Sequence, residues 1–341
     1  MPRTTRFVTF DAYVPEGDPK PGDLVVRQAD VAALEDGQVL LKPIAFALDP
    51  VNRLPVSGKG MPGMPPHPLG EPIRGQAVCR VVESRNPSYA AGTLVSGWVP
   101  WSELIIWPFA DDWMGLTPVD ESLGKPSYAL GVFGISGITA YCGIVKVGEV
   151  KAGQTVLVSS AAGSIGTIVG QIAKIKGARV IGLTSSKDKE DVLTNQLGFD
   201  ATINYRADDF AERLAALMPG GPDIYFDCVG GAVSNTVMFQ MRRPARIVEC
   251  GQISTYGERD GAWKVDVQPI HANGLRFEGY HPMLFADEWP AAFAQLAAWV
   301  KDGLITPLET ERTGFDALPQ AFSDLFASKN VGKMVVVVPE A

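Results

Sequence analysis

Thr155-Val-Leu-Val-Ser-Ser-Ala-Ala-Gly-Ser-Ile-Gly-Thr-Ile-Val-Gly-Gln-Ile-Ala-Lys174 is the stretch of this chain that decides its fold. Thr155–Val158 is a short β-branched apolar run, which predicts a buried strand. A turn of small residues follows, and from there apolar side chains recur at helical spacing at Ile165, Ile168, Val169, Ile172 and Ile175. The stretch therefore predicts a strand, a tight turn and a helix in succession.

This arrangement is typical of a diphosphate site, because the free N–H groups and the dipole of a helix N-terminus favour an anion. Gly163 would let the backbone approach the phosphates, and Gly166 would let helix and strand pack closely. The first glycine of the usual G-x-G-x-x-G pattern is Ala161 here. An ordinary strand-to-helix turn is the alternative that this motif alone leaves open.

The next predicted strand, Gly177–Thr184, stands where a βαβ unit would place it. An NAD-type site needs Asp or Glu at the end of this strand, to accept from the ribose hydroxyls. The chain has Thr184-Ser-Ser-Lys-Asp-Lys189 instead, and hydroxyls with lysines suit a 2′-phosphate. The charge pattern therefore favours NADP, unless Lys187 and Lys189 are simply solvated residues at a helix start.

Length, charge and cysteine usage narrow the class of protein. At 341 residues two domains are expected. The net charge of −8, with both signs scattered, is not the basic footprint of a nucleic-acid partner. The sequence contains neither an apolar run of membrane length nor a signal-peptide pattern at its N-terminus. Its four cysteines are far apart in the sequence, so we expect reduced thiols and a cytoplasmic location.

The chain divides into three stretches by pattern. Residues 1–130 carry short β-type runs with Pro and Gly between them, which predicts a small β-barrel-like domain, and its Pro/Gly-rich loop Leu54–Pro72 is expected to border a pocket. Residues 131–307 alternate strands and helices, which predicts a doubly wound parallel sheet. Residues 308–341 end in an apolar strand expected to rejoin the first domain. Further predictions within the sheet domain are strands over Ile224–Gly231 and Ala245–Gly251, a helix over Val233–Met241 and an edge strand near Leu275–Tyr280.

Several segments together carry a family resemblance over nearly the whole chain: Leu48–Arg53, Gly134–Gly143, Ala161–Gly166, Phe226–Gly231, Cys250–Tyr256 and Lys329–Lys333. With these residues the chain resembles the medium-chain dehydrogenase/reductase superfamily. More narrowly, it is similar to the prostaglandin reductase and leukotriene B4 dehydrogenase group of NADPH-dependent double-bond reductases. The resemblance implies a Rossmann domain that binds NADP and a GroES-like β-barrel catalytic domain.

The resemblance also implies roles for individual residues. The contacts to the diphosphate would come from Gly163, Ser164, Ile165 and Gly166, and those to the 2′-phosphate from Lys189 and Tyr205. The residues near the nicotinamide and its ribose would be Thr139, Cys250, Gly251, Ile253 and Ser254. Asn330 would close over the cofactor from the C-terminal segment. Tyr256 matches the tyrosine to which the family gives a catalytic role.

Two positions depart from the family pattern. Many relatives have an aromatic residue where this chain has Val51, and some have Asn where it has Cys228.

Zinc-dependent members of the superfamily use Cys, His and a carboxylate or second Cys. The chain has only three histidines and no His before the Glu of Leu69–Gly75, so we expect no metal site.

The resulting functional hypothesis is reduction of an activated C=C bond in an enal or enone. Hydride reaches the β-carbon, and a donor aimed at the carbonyl oxygen stabilises the developing negative charge. Tyr256 is the candidate donor; a structural tyrosine that caps a loop is the alternative. An NADPH-dependent quinone reductase of the same superfamily and a non-catalytic NADPH-binding protein also stay open. The resemblance further suggests a homodimer.

Overall fold

The structure is a computed structural model that describes residues 3–60, 65–109, 112, 114–257 and 263–340. The predicted Leu54–Pro72 loop lies partly outside the described residues, at 61–64. The strands are β1 (Arg3–Thr9), β2 (Val25–Val31), β3 (Val39–Leu48), β4 (Arg74–Ser84), β5 (Leu94–Pro100), β6 (Ile105–Trp107), β7 (Thr117–Pro118), β8 (Thr155–Val158), β9 (Arg179–Thr184), β10 (Ala201–Asn204), β11 (Ile224–Asp227), β12 (Ala245–Glu249), β13 (Leu275–Gly279), β14 (Glu309–Thr313) and β15 (Lys333–Val337).

The helices are α1 (Arg53–Val56), α2 (Ile135–Tyr141), α3 (Ser164–Ile175), α4 (Lys187–Asn195), α5 (Phe210–Leu217), α6 (Gly231–Phe239), α7 (Gln268–Asn273), α8 (Trp289–Lys301) and α9 (Leu318–Phe326). A π-helical turn, Cys142–Val147, continues α2. Among the described residues, the helices are all too short or too polar to cross a membrane.

The chain forms two compact units. One, called here the antiparallel unit, comprises the described residues within 1–131 and 309–341; the other, the parallel unit, comprises 132–308. The confirmed fold class is thus a Rossmann-type doubly wound parallel sheet with a separate β-sheet domain of the GroES-like kind.

The antiparallel unit is built around a seven-stranded sheet in the order β14-β15-β3-β4-β5-β7, with β6 also paired to β3. The C-terminal strand β15 pairs antiparallel with β3, as expected for a segment that rejoins the first domain. Alternating apolar residues of β3 and β4 line a core that also contains the fully buried Trp101. The Trp101 ring packs edge-on against Phe322 of α9, with 5.7 Å between the ring centroids. Each such buried side chain contributes about 1.5–3 kcal/mol through the hydrophobic effect.

The parallel unit contains a six-stranded sheet in the order β10-β9-β8-β11-β12-β13, all parallel. The last three residues of β8 are fully buried, as in a sheet that is covered on both faces. One face packs against α5 and α6 through Leu157, Ile181, Tyr225, Phe210, Leu214, Val237 and Met238. The predicted edge position of the strand near Leu275–Tyr280 is confirmed, because β13 ends the sheet.

Several predicted boundaries were wrong by two residues or more, and two of them lie around the same turn. The strand β11 ends at Asp227 rather than at Gly231, and α6 begins at Gly231 rather than at Val233. The Asp227 carboxylate accepts from the backbone N–H groups two and three residues ahead, which turns the chain. Gly230 and Gly231 then take φ of 68° and 66°, a conformation that glycine adopts at little cost.

Candidate functional site

The carboxyl ends of β8, β9, β11 and β12 form one edge of the parallel sheet, called here the carboxyl edge. From β8 the strands are added on one side as β9 and β10, and then on the other side as β11, β12 and β13. The switch point of the sheet therefore lies between β8 and β11. Ligands of open α/β sheets bind outside the carboxyl ends at such a point. Residues that directly follow these strands are therefore the candidates for a site.

The turn between β8 and α3 leaves a helix N-terminus open at this edge. Ser160 has a φ of 46°, which is unusual for a residue other than glycine, and it bends the chain away from the strand. Gly163 is the N-cap, and no described side chain caps the helix. Ser164 Oγ is buried without a hydrogen-bond partner among the described residues. Open N–H groups and an unpartnered hydroxyl fit an anion such as a diphosphate.

Close packing fixes the position of this helix start. A Cβ at Gly166 would lie 2.4 Å from the Ser160 carbonyl oxygen, so only glycine fits. Ala161, which replaces the usual first glycine, is fully buried. Its methyl group has room because it faces Gly182 of β9, where a Cβ would come within 2.9 Å of it. The departure at Ala161 is thus accommodated by a glycine on the neighbouring strand.

Asp227, at the end of β11, organises the switch point and was missed by the sequence analysis. It is fully buried. Its Oδ1 accepts from Ser159 Oγ (2.9 Å), Tyr225 OH (2.9 Å), Val229 N (2.9 Å) and Gly230 N (3.1 Å), and Ser234 Oγ donates to Oδ2. Ser159 Oγ in turn accepts from Cys228 N at 2.8 Å, which ties the β8 and β11 turns together. A carboxylate that ends an apolar strand was the signal available in the sequence.

Two cations lie near one another beyond the ends of β9 and β10: Lys189 in the first turn of α4, and Arg206 two residues after β10. Burial, and to a smaller extent the charge of neighbouring Arg206, lowers the pKa of Lys189 below its usual value. Neither Lys189 nor Arg206 forms an ion pair with a described acidic residue, whereas Lys187 lies 2.8 Å from Asp191. The Arg206 guanidinium lies 5.8 Å from the centre of the Tyr205 ring. Like charges held together without an acid fit a phosphate dianion.

Two further groups belong to this region: Thr184, which opens the Thr184–Lys189 stretch quoted above, and Arg206, to which the sequence assigned no role. Thr184 Oγ1 is buried and has no described partner at the end of β9. Arg206 directly follows the predicted Tyr205 but shows no motif of its own. The structure brings Arg206 near Lys189 because β9 and β10 are adjacent and parallel.

The loop after β12 packs on the loop after β11. Ser254 Oγ donates to the Val229 carbonyl at 2.7 Å, and Ser254 N donates to the same oxygen at 3.1 Å. Gly231 makes room for Ser254, because a Cβ there would lie 2.8 Å from Ser254 Oγ. Residues Cys250, Gly251, Ile253 and Ser254 are thereby held at the carboxyl edge.

Thr139 is linked to the same region by a hydrogen bond from Tyr280, the residue that follows β13. The Tyr280 hydroxyl donates to the Thr139 carbonyl at 2.7 Å and lies 3.6 Å from Cys250 Sγ. Gly143 permits this contact, since a Cβ there would come within 2.2 Å of the Tyr280 hydroxyl. The structure thus places Thr139 beside the Cys250 loop, while their contact to a nicotinamide stays a prediction.

Tyr256 directly follows the 3₁₀ turn Ile253–Thr255 and is partly exposed. A Cβ at Gly251 would lie 3.4 Å from its hydroxyl, so the ring folds back over its own loop. Burial raises the pKa of Tyr256 above its usual value of 10, and the backbone N–H of Gln252 offsets part of this effect. The hydroxyl therefore keeps its proton at neutral pH and can donate. Catalysis and loop capping are both compatible with this position.

Asn330 and Val51 belong to the antiparallel unit. Asn330 is buried, and its Nδ2 donates to the Gly332 carbonyl at 2.9 Å. Val51 lies in a 3₁₀ turn, Pro50–Asn52, directly after β3. Their relation to a cofactor or substrate stays a prediction.

A zinc site needs several Cys, His or carboxylate side chains close together. Within the described parts of the chain, no three His, Cys, Asp or Glu residues lie close enough together to hold a metal ion. His67 lies 3.2 Å from the Glu71 carbonyl, and His281 Nδ1 accepts from Met283 N at 3.3 Å. Both histidines thus serve their own loops, and the described residues do not fit a zinc site.

Two family models match the chain in the order of its two domains. The model described as the N-terminal domain of oxidoreductase matches residues 8–113, and the one described as zinc-binding dehydrogenase matches residues 164–299. The second description names zinc, whereas the described His, Cys, Asp and Glu residues include no group of three that could hold a metal ion.

Full-length relatives give a finer comparison. The NADPH-dependent curcumin reductase of Escherichia coli is 35% identical over 95% of this chain and 94% of its own length. Prostaglandin reductase 1 of Rattus norvegicus is 37% identical over 94% of this chain and 95% of its own. The crystal structure of CurA from Vibrio vulnificus in complex with NADPH, 32% identical, superposes with a TM-score of 0.90 over 98% of this chain and 100% of that chain. The chain belongs to the medium-chain dehydrogenase/reductase superfamily, together with these curcumin and prostaglandin reductases.

Proposed function

We propose that this chain, an NADP-dependent oxidoreductase, reduces the activated C=C bond of an α,β-unsaturated aldehyde or ketone. The observation that carries the cofactor assignment is the Lys189–Arg206 pair, two neighbouring cations on α4 and after β10 that have no acidic partner among the described residues. The curcumin and prostaglandin reductases named above support the reaction type.

Each part of the cofactor has a matching group of residues along the carboxyl edge. The open N–H groups at the start of α3 would hold the diphosphate, with Ser164 Oγ as a further donor. The 2′-phosphate would lie against Lys189 and Arg206, with Tyr205 beside them. The nicotinamide side would be bounded by Thr139, Cys250, Gly251, Ile253 and Ser254.

When bound, the cofactor supplies a hydride to the β-carbon of the substrate. Negative charge then develops on the substrate carbonyl oxygen, and a preorganised donor stabilises it. Tyr256 carries a hydroxyl that keeps its proton at neutral pH, so it can donate to that oxygen. The α-carbon then takes a proton from water or from the same hydroxyl.

We further propose a cytoplasmic homodimer. The strand β13 ends the parallel sheet and offers an edge to a second copy. Light scattering at micromolar concentration should then give twice the 36.5 kDa chain mass. A mass of one chain would contradict the dimer and leave the proposed reaction untouched.

The reaction type is tested with four acceptors and two cofactors. Consumption of NADPH is followed by absorbance with a 2-alkenal, a cyclic enone, a benzoquinone and a saturated ketone, and NADH is run in parallel. We expect turnover of the alkenal or enone with NADPH and little with NADH. A preference for the quinone would favour a quinone reductase, and NADPH binding without any turnover would favour a non-catalytic protein.

A further inference from the structure

Cys228 and Cys250 form a pair of thiols at the carboxyl edge. Asp227 and Glu249 are register partners on the parallel strands β11 and β12, and each cysteine is the next residue. Cys250 N continues the ladder by donating to the Asp227 carbonyl at 2.8 Å. The two cysteines thus directly follow a register pair, and the Cys228 thiol is within hydrogen-bond reach of the Cys250 sulfur.

The spacing of the two residues suits a disulfide. Neighbouring strands lie about 4.7–4.9 Å apart, within the 4.4–6.8 Å range of Cα separations seen in disulfides. The thiols are close enough for Cys228 to donate toward the Cys250 sulfur. This contact lowers the pKa of Cys250 and raises that of Cys228, which favours the thiolate at Cys250.

Access distinguishes this pair from the other two cysteines. Cys228 and Cys250 are both partly exposed, whereas Cys79 and Cys142 are fully buried. The Tyr280 hydroxyl donates to the Thr139 carbonyl at 2.7 Å and also lies within donating distance of Cys250 Sγ, at 3.6 Å, which helps to lower the pKa of Cys250. The pair is therefore nearer to solvent than Cys79 and Cys142 are, and neither sulfur is held in a disulfide.

We propose that Cys228 and Cys250 are a modification site, a dithiol that hydrogen peroxide converts reversibly into an intramolecular disulfide. The Cys250 thiolate attacks one peroxide oxygen, so that an S–O bond forms, the O–O bond breaks and hydroxide leaves as water. The Cys228 sulfur then attacks the Cys250 sulfenic sulfur, so that the S–S bond forms and the S–O bond breaks, and the proton of Cys228 passes to the departing hydroxyl, which leaves as a second water. Two thiols lose two electrons and two protons in total, and one peroxide becomes two waters.

The test counts thiols in the full-length chain and does not depend on the substrate. The reduced protein is treated with hydrogen peroxide, unfolded, alkylated with N-ethylmaleimide and weighed as the intact chain. We expect two of the four cysteines to become unreactive, and peptide mapping to join Cys228 to Cys250. Dithiothreitol should restore all four adducts. Four adducts after peroxide, or a link between any other pair, would overturn the proposal.

Three variants sharpen the result. Cys228→Ser and Cys250→Ser should each yield no internal disulfide, whereas the matched control Cys79→Ala should keep the Cys228–Cys250 link. An internal disulfide that persists in Cys228→Ser would also overturn the proposal. Because the main measurement uses the unmodified chain, it stands even if a variant does not fold. It is equally separate from the acceptor assay, so failure of the proposed reaction would not affect it.

Discussion

Tyr256 contributes a hydroxyl that stays protonated at neutral pH because burial raises its pKa. If it donates to the carbonyl oxygen of the substrate, Tyr256→Phe should lower kcat by about tenfold or more, since one lost donor typically costs 10²–10³ and other donors can share the role. The dissociation constant of NADPH should not change. Tyr141→Phe, which alters a tyrosine packed against Trp299, is the matched control. Unchanged kcat in Tyr256→Phe would leave this tyrosine with the loop-capping role.

Lys189 and Lys187 lie two residues apart on α4, yet among the described ion pairs only Lys187 has an acidic partner. We expect Lys189→Ala to weaken NADPH binding by about 10- to 100-fold, because a hydrogen bond to a charged group contributes about 1.5–3 kcal/mol. Lys187→Ala should leave the NADPH affinity within about twofold, because this exposed ammonium is paired with Asp191 and not with the phosphate. Fluorescence titration with NADPH and NADH measures both. Equal losses for NADPH and NADH in Lys189→Ala would contradict a contact to the 2′-phosphate.

Glu249 ends β12 with a buried Oε2 that has no partner among the described residues. Burial, with smaller contributions from Asp227 and Cys250, raises the pKa of Glu249 to about 9, from an ordinary value of 4.5. Between these values the unfolded chain is ionised while the folded chain holds the proton, so stability is present at low pH and lost as pH rises toward about 9. Glu249→Gln should therefore gain stability relative to the parent by roughly 1–3 kcal/mol between about pH 5 and about pH 8.

Thermal or urea unfolding at several pH values measures this difference. Glu212→Gln alters an exposed glutamate on α5 and should show the pH dependence of the parent. A stability difference between Glu249→Gln and parent that stays constant with pH would show that the carboxyl of Glu249 is ionised in the folded chain.

The start of α3 depends on a glycine that backbone atoms surround. A Cβ at Gly166 would lie 2.4 Å from the Ser160 carbonyl and 2.7 Å from the Ala161 Cα, neither of which can move as a flexible side chain would. Gly166→Ala should lower the free energy of unfolding by about 1–3 kcal/mol through overpacking, and should weaken NADPH binding as the turn shifts. Gly279→Ala, at a glycine with open space, is the control. Full stability of Gly166→Ala would contradict the packing account.

Elements with a clear period could be predicted from the sequence. The β8 strand and the α3 helix follow directly from the Thr155–Lys174 pattern, because β-branched runs and the spacing of apolar residues are local signals. The end of β11 could not be predicted, since it depends on where the Asp227 carboxylate finds its donors. The proximity of Arg206 to Lys189 likewise depends on β9 and β10 lying side by side, which no local pattern specifies.

At the scale of the whole molecule, each of the two units is stabilised by a core of its own. The sequence predicts both because the residues change from short β-type runs to alternating strands and helices, and then return with the apolar strand β15. The fold does not determine the substrate, because the shape of the loops around a pocket decides which molecules bind there. The reaction type is therefore best tested on the product.

The most direct measurement follows deuterium from NADPH labelled at the transferring C4 position into the product of a 2-alkenal. Analysis by mass spectrometry and NMR should find a saturated aldehyde with one deuterium at the β-carbon, and solvent hydrogen at the α-carbon. Deuterium at the former carbonyl carbon, in an allylic alcohol, would contradict the account, because hydride would then have reduced the C=O bond instead.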